Sequence, residues 1–328
     1  RRRRVPGASE CREQRARSSS MGAGGTACAL AAAAAAALLL DRLRRQQLGG
    51  GGADHRVRKV VILAAGLGTR MRKAAEGVGI SDEQAKVAAT GVKALIPVQH
   101  GDINRPFLDY ILNAVADAGF TKVCLVIGPD HTALREYYSQ AGFAKRISIS
   151  FAIQEKPLGT ADAVAAAELF CGRDRFIVLN SDNYYPVPAL RALHRGIPKD
   201  AGLAVFTREG MVRKSNVSAD RIPKFAVVKV NAMGCLERIL EKPSPEVIAS
   251  LPEPVGVSMN CWLFEANIFE ACAAIEPSPR GELEITDAVQ YCIDHGTNFH
   301  VKTFNDGVLD MSSREDISSV VARLGKVK

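Results

Sequence analysis

The chain has 328 residues and a formal charge of +8, from 43 basic and 35 acidic side chains. Twelve arginines and only four acidic residues fall in positions 1–58, so the rest of the chain has no net charge, and we do not expect it to bind nucleic acid. With 47% hydrophobic and 24% charged residues, the composition is that of a globular protein, which excludes a disordered or fibrous structure for the neutral part.

Residues 1–58 differ in composition from everything that follows. Arginine-rich stretches surround an alanine run, and the segment closes on four glycines from Gly49 to Gly52. Its apolar part is too rich in small residues for a membrane span, and it lacks the small-residue cleavage site of a secretory signal. We therefore predict a disordered tail or a non-native leader over 1–58, a single domain over 59–328, and no membrane association.

The neutral part begins with a short strand and a glycine loop. Residues 59–64 form an apolar, β-branched run that predicts a strand buried on both faces, and small residues occupy positions 64–66 and 68. Such a loop lets a phosphate approach the backbone closely. It is neither a dinucleotide fingerprint, which needs another small residue after Gly68, nor a P-loop, which needs Gly-Lys-Ser/Thr. Arg70 and Lys93 add a planar and a compact positive charge, a pair suited to a triphosphate.

The connection between these two cations, residues 71–92, is long and polar, with few large apolar residues to anchor it. A long polar segment beside a phosphate site predicts a lid. The segment also leaves open whether Lys86 or Lys93 contacts the phosphate.

The remaining elements alternate along the chain. Strand-like runs lie at 59–64, 122–127, 147–152 and 175–179, and helical segments lie near 106–118, 131–140 and 160–170. This alternation predicts a doubly wound α/β sheet that binds its ligand at the carboxyl ends of the strands. Runs at 202–207, 225–230 and 234–240, joined by short connections, predict an extension of mixed strand direction.

A series of short motifs also follows one another along the neutral part. The motifs are Leu63 to Met71, Lys93-x-Leu95-x-Pro97-Val98, Arg105 to Leu112, Val123 to Ile127, Gln154-x-x-Pro157 to Ala163, Phe176 to Asn183, Glu241-Lys242-Pro243, Ser258 to Cys261, Gly281 to Asp287 and Leu309-Asp310-Met311. In this order they resemble the motifs of the sugar-1-phosphate nucleotidyltransferases. One motif alone is weak evidence, whereas the ordered series covers nearly the whole neutral part.

The resemblance implies a fold and a reaction. The fold is a doubly wound, Rossmann-like mixed sheet of the nucleotide-diphospho-sugar transferase (GT-A-like) type, with a nucleotide-binding half over 59–200 and a sugar-binding half over 201–328. The reaction is attack by the phosphate of a sugar 1-phosphate on the α-phosphorus of a nucleoside triphosphate, with release of pyrophosphate. Because that nucleophile is already ionised, catalysis consists of positioning and charge neutralisation.

The resemblance also implies roles for particular residues. Arg70, Lys93 and Lys242 are the expected catalytic cations, Glu241 and Asn260 the expected sugar contacts, and Asp182 and Asp310 the expected ligands of one Mg²⁺. The expected nucleotide-binding residues are Ala64, Ala65, Gly66, Gly68, Thr69, Gln154, Gly159 and Thr160. The segment from Gln154 to Gly159 resembles that of relatives that read uracil or thymine, and the Gln154 amide suits these bases because it offers a donor and an acceptor together. UTP or dTTP is therefore favoured, although relatives that use adenine also carry a Gly-Thr-Ala-Asp-Ala run.

Alternatives stay open at this point. Arg70 is also compatible with a solvated loop charge, Asp182 with a turn residue, and Glu241-Lys242-Pro243 with a surface turn. The fold is compatible with transfer to a non-sugar phosphate such as phosphocholine, and with a non-catalytic subunit that binds nucleotide or sugar. The eight cysteines form no C-x-x-C pair, which favours free thiols in a reducing cytoplasm. The expected partners are a nucleoside triphosphate and a sugar 1-phosphate, with homo-oligomerisation left open.

Overall fold

The computed structural model describes residues 56–73, 79–100, 102–140, 146–197 and 200–325. The prediction for residues 1–55, and the part of the lid prediction on 74–78, lie outside these residues. The described chain belongs to the globular body from its start, because Val57 is 2% exposed and its backbone N–H donates to the carbonyl of His194 at 2.8 Å.

The strands are β1 Lys59–Leu63, β2 Pro97–His100, β3 Ile103–Pro106, β4 Lys122–Ile127, β5 Ser148–Ile153, β6 Phe176–Asn180, β7 Asn183–Tyr184, β8 Ala201–Thr207, β9 Ala226–Val230, β10 Leu236–Leu240, β11 Gly256–Phe264, β12 Phe299–Phe304 and β13 Leu309–Asp310. The α-helices are Thr69–Arg72, Asp82–Thr90, Phe107–Ala118, Thr132–Ser139, Thr160–Ala165, Glu168–Cys171, Val187–His194, Arg208–Lys214, Pro245–Ala249, Asn267–Ala274, Ile285–Asp294 and Asp316–Leu324. Short 3₁₀ helices span Lys93–Leu95 and Ala219–Lys224.

A 9-stranded sheet forms the centre of the described chain. Its main path runs β10-β9-β11-β6-β1-β4-β5, with β8 beside β11 and β12 beside β8. β1 pairs in parallel with β4 and with β6, and β5 extends the parallel part. β11 runs antiparallel to β6, β8 and β9. The sheet is therefore mixed, as predicted.

Side chains of the parallel strands enter two separate cores. Val60 and Ile62 of β1 pack into one hydrophobic cluster, whereas Val61, between them in sequence, packs into the other. The first cluster includes the helices Phe107–Ala118 and Val187–His194, and the second includes Asn267–Ala274 and Ile285–Asp294. Because successive strand residues point to opposite faces, helices on both faces bury the sheet. This arrangement confirms the doubly wound α/β prediction.

The order of the strands determines where a ligand can bind. The chain passes from β1 to β4 and β5 on one side, and then returns to place β6 on the other side of β1. Connections that leave neighbouring strands in opposite directions open a crevice at their carboxyl ends. This crevice lies where the loop after β1 meets the loop after β6, and Ser181 there donates its backbone N–H to the carbonyl of Leu63 at 3.1 Å.

Two elements differ from their predictions. The predicted helix near 160–170 is divided into Thr160–Ala165 and Glu168–Cys171, because Ala167 leaves helical geometry with φ −91° and ψ 5°. The 71–92 segment contains a capped helix, Asp82–Thr90, with a reciprocal capping box between Ser81 and Gln84. Gln84 also donates to the carbonyl of Pro97 at 2.8 Å, which ties this helix to β2. Closure of the segment over a ligand stays a prediction.

None of the described helices is both long enough and apolar enough to span a membrane.

Candidate active site

The glycine loop after β1 lies against the segment that carries Lys93. Gly68 has φ +62°, and a β-carbon there would lie 2.1 Å from the carbonyl oxygen of Gly91. Gly91 has φ +80°, and a β-carbon there would lie 2.7 Å from the carbonyl oxygen of Leu67. Only glycine tolerates both the left-handed conformation and this backbone contact. The two glycines therefore bring Lys93, two residues after Gly91, beside the loop.

A cavity of about 400 Å³ opens at the crevice between the loops after β1 and β6. All the predicted nucleotide-binding residues line it: Ala64, Ala65, Gly66, Gly68, Thr69, Gln154, Gly159 and Thr160. Lys93 and Asp182 line it as well. The volume is in the range of small-molecule sites. Residues predicted from separate motifs thus meet around one space.

Lys93 and Asp182 form an ion pair inside this cavity. The ammonium of Lys93 donates to Oδ2 of Asp182 at 2.7 Å, and both side chains are largely buried, at 16% and 23% exposed. The 3₁₀ helix Lys93–Leu95 holds the lysine, and the loop after β6 holds the aspartate. A partly buried pair is screened less by salt than a surface pair. The cavity therefore contains one compact cation and one carboxylate in direct contact.

Arg70 lies next to the cavity without lining it. It is exposed in the short helix Thr69–Arg72, whereas its neighbour Thr69 reaches the cavity. To contact a triphosphate, Arg70 has to turn its long side chain toward the loop. The catalytic role of Arg70 therefore stays a prediction.

Gln154 follows β5 directly, and only 6% of it is exposed. Its Nε2 donates to the carbonyl of Gly159 at 2.9 Å and to Oδ2 of Asp162 at 2.8 Å. Both donor hydrogens of the amide are therefore used inside the protein, and the expected donor-and-acceptor pair is reduced to the acceptor oxygen.

The segment after Gln154 is tied to the loop that precedes the helix Ile285–Asp294. Gly159 has φ +127°, and a β-carbon there would lie 2.4 Å from the carbonyl oxygen of Leu283. Leu283 donates to the carbonyl of Leu158 at 2.7 Å and accepts from Ala161 at 2.8 Å. Thr160 Oγ1 accepts from the backbone of Ile285 at 2.8 Å. These contacts join the nucleotide side of the site to the motif from Gly281 to Asp287.

The predicted sugar-side residues form a separate group of charges. Glu241 and Lys242 follow β10, are exposed and do not line the cavity. Although part of Glu241 faces solvent, protein atoms cover the rest, displace water from it and raise its pKa. Nearby Glu284 raises this pKa further, whereas Arg280 opposes the rise. Lys242 has the left-handed φ of +44°, which is uncommon for a residue with a side chain.

Asn260 lies at an irregularity in β11. The register between β11 and β8 shifts between Ser258 and Cys261, and Asn260 there has φ +53°. Its Oδ1 accepts from Nε1 of Trp262 at 3.2 Å. Fully buried Tyr185 accepts from the backbone N–H of Asn180 at 3.2 Å and donates to the carbonyl of Met259 at 2.7 Å. Tyr185 thereby connects the end of β6 to the bulge that presents Asn260.

A sequence model described as "Nucleotidyl transferase" matches residues 59–318, which is most of the described body. The chain belongs to the nucleotidyl transferase family. The description of this family agrees with the class of reaction that the motifs imply.

Two curated sugar-1-phosphate nucleotidyltransferases are similar to this nucleotidyl transferase. It is 34% identical to a glucose-1-phosphate thymidylyltransferase of Streptomyces griseus over 246 residues, which cover 73% of this chain and 58% of the relative. It is 25% identical to a UTP–glucose-1-phosphate uridylyltransferase of Haloferax volcanii, over 81% of this chain and 96% of the relative. The chain spans 58% to 64% of the length of the first curated relatives it matches.

Solved structures support the fold. The structure of a UDP-glucose pyrophosphorylase complexed with UDP-glucose superposes with a TM-score of 0.65 at 19% identity, and the match covers 83% of this chain and 100% of that protein. At this identity the likeness establishes a shared fold. The mixed, mostly parallel sheet of this nucleotidyl transferase is therefore of the Rossmann-like type predicted from its motifs.

The predicted metal ligands of the nucleotidyl transferase differ in what they offer an ion. Asp182 lines the cavity, and Lys93 contacts only its Oδ2. Asp310 is 2% exposed, and its Oδ1 accepts from Asn183 at 3.0 Å and from Ser312 at 2.7 Å. Its Oδ2 accepts from Arg221 at 2.7 Å, and Arg221 also pairs with Asp316.

These contacts decide how well the residues fit Mg²⁺. The ion commonly takes one or two carboxylates together with substrate phosphates, so Asp182 fits. Each oxygen of Asp310 already accepts from a protein donor, so its expected role as the second ligand would require it to give up such a contact and stays a prediction. Burial raises the pKa of Asp310 to about 6, and the charge of Asp182 adds to the rise. Among the described residues, no three His, Cys, Asp or Glu side chains are grouped to hold a metal.

Three residues at this site were not predicted from the sequence to have a role in it. Glu282 lines the cavity, Arg280 pairs with Glu284 beside Glu241, and Arg221 holds Asp310. The first two lie in or next to the motif from Gly281 to Asp287, which was a usable signal. Arg221 lies outside every motif, so the sequence offered no signal for it.

Proposed function

We propose that this nucleotidyl transferase transfers a nucleotidyl group from UTP or dTTP to a sugar 1-phosphate and releases pyrophosphate. One observation carries the proposal. The glycine loop, the cation Lys93, the carboxylate Asp182 and the amide of Gln154 all line one cavity at the switch point of the sheet. The similarity to a glucose-1-phosphate thymidylyltransferase and a UTP–glucose-1-phosphate uridylyltransferase supports the choice of substrates.

The reaction requires little from the protein beyond positioning and charge. The sugar phosphate is ionised before it attacks, so no protein group has to remove a proton. Backbone groups between Ala64 and Gly68 bind the triphosphate, and Lys93 neutralises charge that moves to the departing pyrophosphate. Arg70, beside the loop, adds a second cation when its side chain turns toward the phosphates.

The Lys93–Asp182 pair determines how the cavity changes when substrate enters. A phosphate carries more negative charge than one carboxylate, so Lys93 exchanges Asp182 for phosphate. Asp182, no longer paired with Lys93, would then be the carboxylate that holds Mg²⁺. When bound, the ion supplies further neutralisation of the phosphate charge.

On the sugar side, Glu241 accepts hydrogen bonds from sugar hydroxyls, Asn260 adds a polar contact, and Lys242 pairs with the sugar phosphate.

The described cysteines, all free and buried, support the proposed cytoplasmic location.

The proposal is tested by pyrophosphate release with Mg²⁺ from each common nucleoside triphosphate, paired with a panel of sugar 1-phosphates and with phosphocholine. We expect release only with UTP or dTTP plus a sugar 1-phosphate, and its loss in Asp182→Ala. Asp174→Ala is the matched control, because Asp174 is an exposed carboxylate outside the cavity. Release with phosphocholine alone contradicts the sugar substrate. Nucleotide binding without release from any pair supports a non-catalytic subunit instead.

A further inference from the structure

The buried amide of Gln154 has a fixed orientation. Its nitrogen end faces two oxygens, the carbonyl of Gly159 and the carboxylate of Asp162, at 2.9 Å and 2.8 Å. Neither oxygen can donate a hydrogen bond to an amide oxygen, because carbonyls and carboxylates are acceptors only. Turning the amide over would place oxygen against oxygen twice in a site that is nearly closed to water. The chemistry of the two neighbours therefore sets the orientation.

The opposite end of this amide reaches the cavity. Within the described residues, Oε1 of Gln154 accepts no hydrogen bond, whereas Nε2 of the same amide donates two. In the same residues, no fully buried side-chain oxygen or nitrogen lacks a partner. Oε1 therefore belongs to the surface that Gln154 contributes to the cavity wall. It offers an approaching ligand one acceptor and no donor.

Asp162 is the residue that makes this orientation strict. It lies in the helix Thr160–Ala165, three positions after Gly159, so the same short segment supplies both acceptors. A backbone carbonyl alone would hold one of the two amide hydrogens and leave the other for the ligand. The Asp162 carboxylate uses that second hydrogen.

We propose that Asp162 is a positioning residue that makes Gln154 an acceptor-only reader of the base and thereby excludes cytosine. This inference rests on the proposed function and deepens it. Uracil and thymine carry an N–H donor at ring position 3, which matches the free Oε1. The corresponding ring nitrogen of cytosine is an acceptor, so two lone pairs meet and a buried polar contact is lost. The site accordingly takes UTP or dTTP and rejects CTP.

The first test is equilibrium binding of UTP and CTP to the full chain by titration calorimetry, without sugar phosphate. We expect the wild type to prefer UTP by at least about tenfold, the cost of one mismatched buried polar contact. In Asp162→Asn the new side chain can donate as well as accept, so one of the two oxygen–oxygen contacts that prevent the Gln154 amide from turning over is removed, and only the Gly159 carbonyl still opposes the turn. We expect the UTP-to-CTP ratio to fall by at least about threefold. Asp174→Asn removes the same charge at an exposed position outside the cavity and leaves the ratio unchanged.

The second test uses the wild type alone and does not depend on how a variant folds. The triphosphate of 3-methyluridine lacks the N–H donor, whereas that of 5-methyluridine keeps it and carries a methyl group of the same size. We expect the 3-methyl compound to bind at least about tenfold more weakly than UTP, and the 5-methyl compound to bind like UTP. Equal binding of the 3-methyl compound, or an unchanged UTP-to-CTP ratio in Asp162→Asn, overturns the proposal.

Failure of the proposed function gives a different result. If the proposed function is wrong, no pair of substrates releases pyrophosphate. The UTP-to-CTP binding ratio is measured without sugar phosphate, so it tests the role of Asp162 separately.

Discussion

The nucleotide side and the sugar side of this site reach their geometry by different means. On the nucleotide side, loops after β1, β5 and β6 meet because three parallel strands end at one edge of the sheet. On the sugar side, Lys242 and Asn260 each adopt a left-handed backbone conformation, and Glu241 and Lys242 are exposed. Strand order thus builds the first side, whereas local backbone strain at single residues builds the second. Substitutions on the two sides should accordingly affect different substrates and differ in size.

The largest effect is expected at Lys93, on the nucleotide side. Lys93→Met removes the cation from the cavity, and we expect kcat to fall by about 100-fold, as for the loss of one preorganised donor. Steady-state kinetics with varied nucleotide measure this. Lys86→Met is the matched control, because Lys86 is an exposed lysine of the same segment. If Lys86→Met causes the larger loss, Lys93 is not the phosphate contact.

The contact that joins the two sides should give the next largest effect. Gly159→Ala would place a β-carbon 2.4 Å from the carbonyl oxygen of Leu283 at a φ of +127°. We expect a loss of about 1–3 kcal/mol in the free energy of unfolding, and higher KM values for both substrates. Denaturant unfolding and kinetics measure these. Gly281→Ala is the control, since its φ is also positive but a β-carbon there meets no other atom. Equal losses in both variants would mean that backbone strain alone is responsible.

A smaller and more selective effect is expected at Glu241. We expect Glu241→Gln to raise KM for the sugar 1-phosphate by about tenfold, through the loss of hydrogen bonds to a charged acceptor, with little change in KM for the nucleotide. Glu237→Gln, at an exposed position of β10, is the control. Equal increases in both KM values would contradict a sugar-side role.

The raised pKa of Glu241 predicts that KM for the sugar 1-phosphate depends on pH. Because the pKa of Glu241 is raised, its accepting carboxylate is lost at a higher pH than for an ordinary glutamate as the solution is acidified. KM for the sugar 1-phosphate should therefore rise on acidification more steeply in the wild type than in Glu241→Gln. The titration of the substrate itself is the same in both assays. Parallel pH profiles would exclude ionisation of Glu241 as the cause.

The smallest effect is expected at Trp262, whose Nε1 holds the side-chain oxygen of Asn260. Trp262→Phe removes one neutral hydrogen bond, so we expect about a threefold rise in KM for the sugar 1-phosphate and about 1 kcal/mol of lost stability. Phe264→Leu, at another fully buried aromatic residue of the same strand, is the control for packing. A similar rise in KM for the sugar 1-phosphate in both variants would show that the change in packing, and not the orientation of Asn260, is responsible.

The sequence predicts the parallel part of the sheet well, because its strands are continuous apolar runs. β4 is found at the predicted bounds, and β1 and β6 are within one residue of them. β11, in contrast, does not stand out, since Ser258 and Asn260 interrupt its apolar run at the register shift. Helical propensity likewise does not reveal the break at Ala167.

The same distinction applies to the site. Residues that follow predicted strands, such as Gly68 and Asp182, could be placed together because the ends of parallel strands are neighbours. The partners of Asp310 could not be predicted, because Arg221 and Asn183 reach it from distant parts of the chain. That Gln154 offers the cavity only an acceptor also depends on side-chain packing, which cannot be predicted from the neighbouring sequence.

The account is tested most directly by following a mixture of UTP, glucose 1-phosphate and Mg²⁺ with the protein by ³¹P NMR. Transfer to a sugar phosphate predicts a new diphosphate diester and pyrophosphate in equal amounts. Neither should form when glucose 1-phosphate is omitted, and both should form about 100-fold more slowly when Lys93→Met replaces the wild type. Formation of UMP and pyrophosphate without the diester would mean hydrolysis, and would contradict the account.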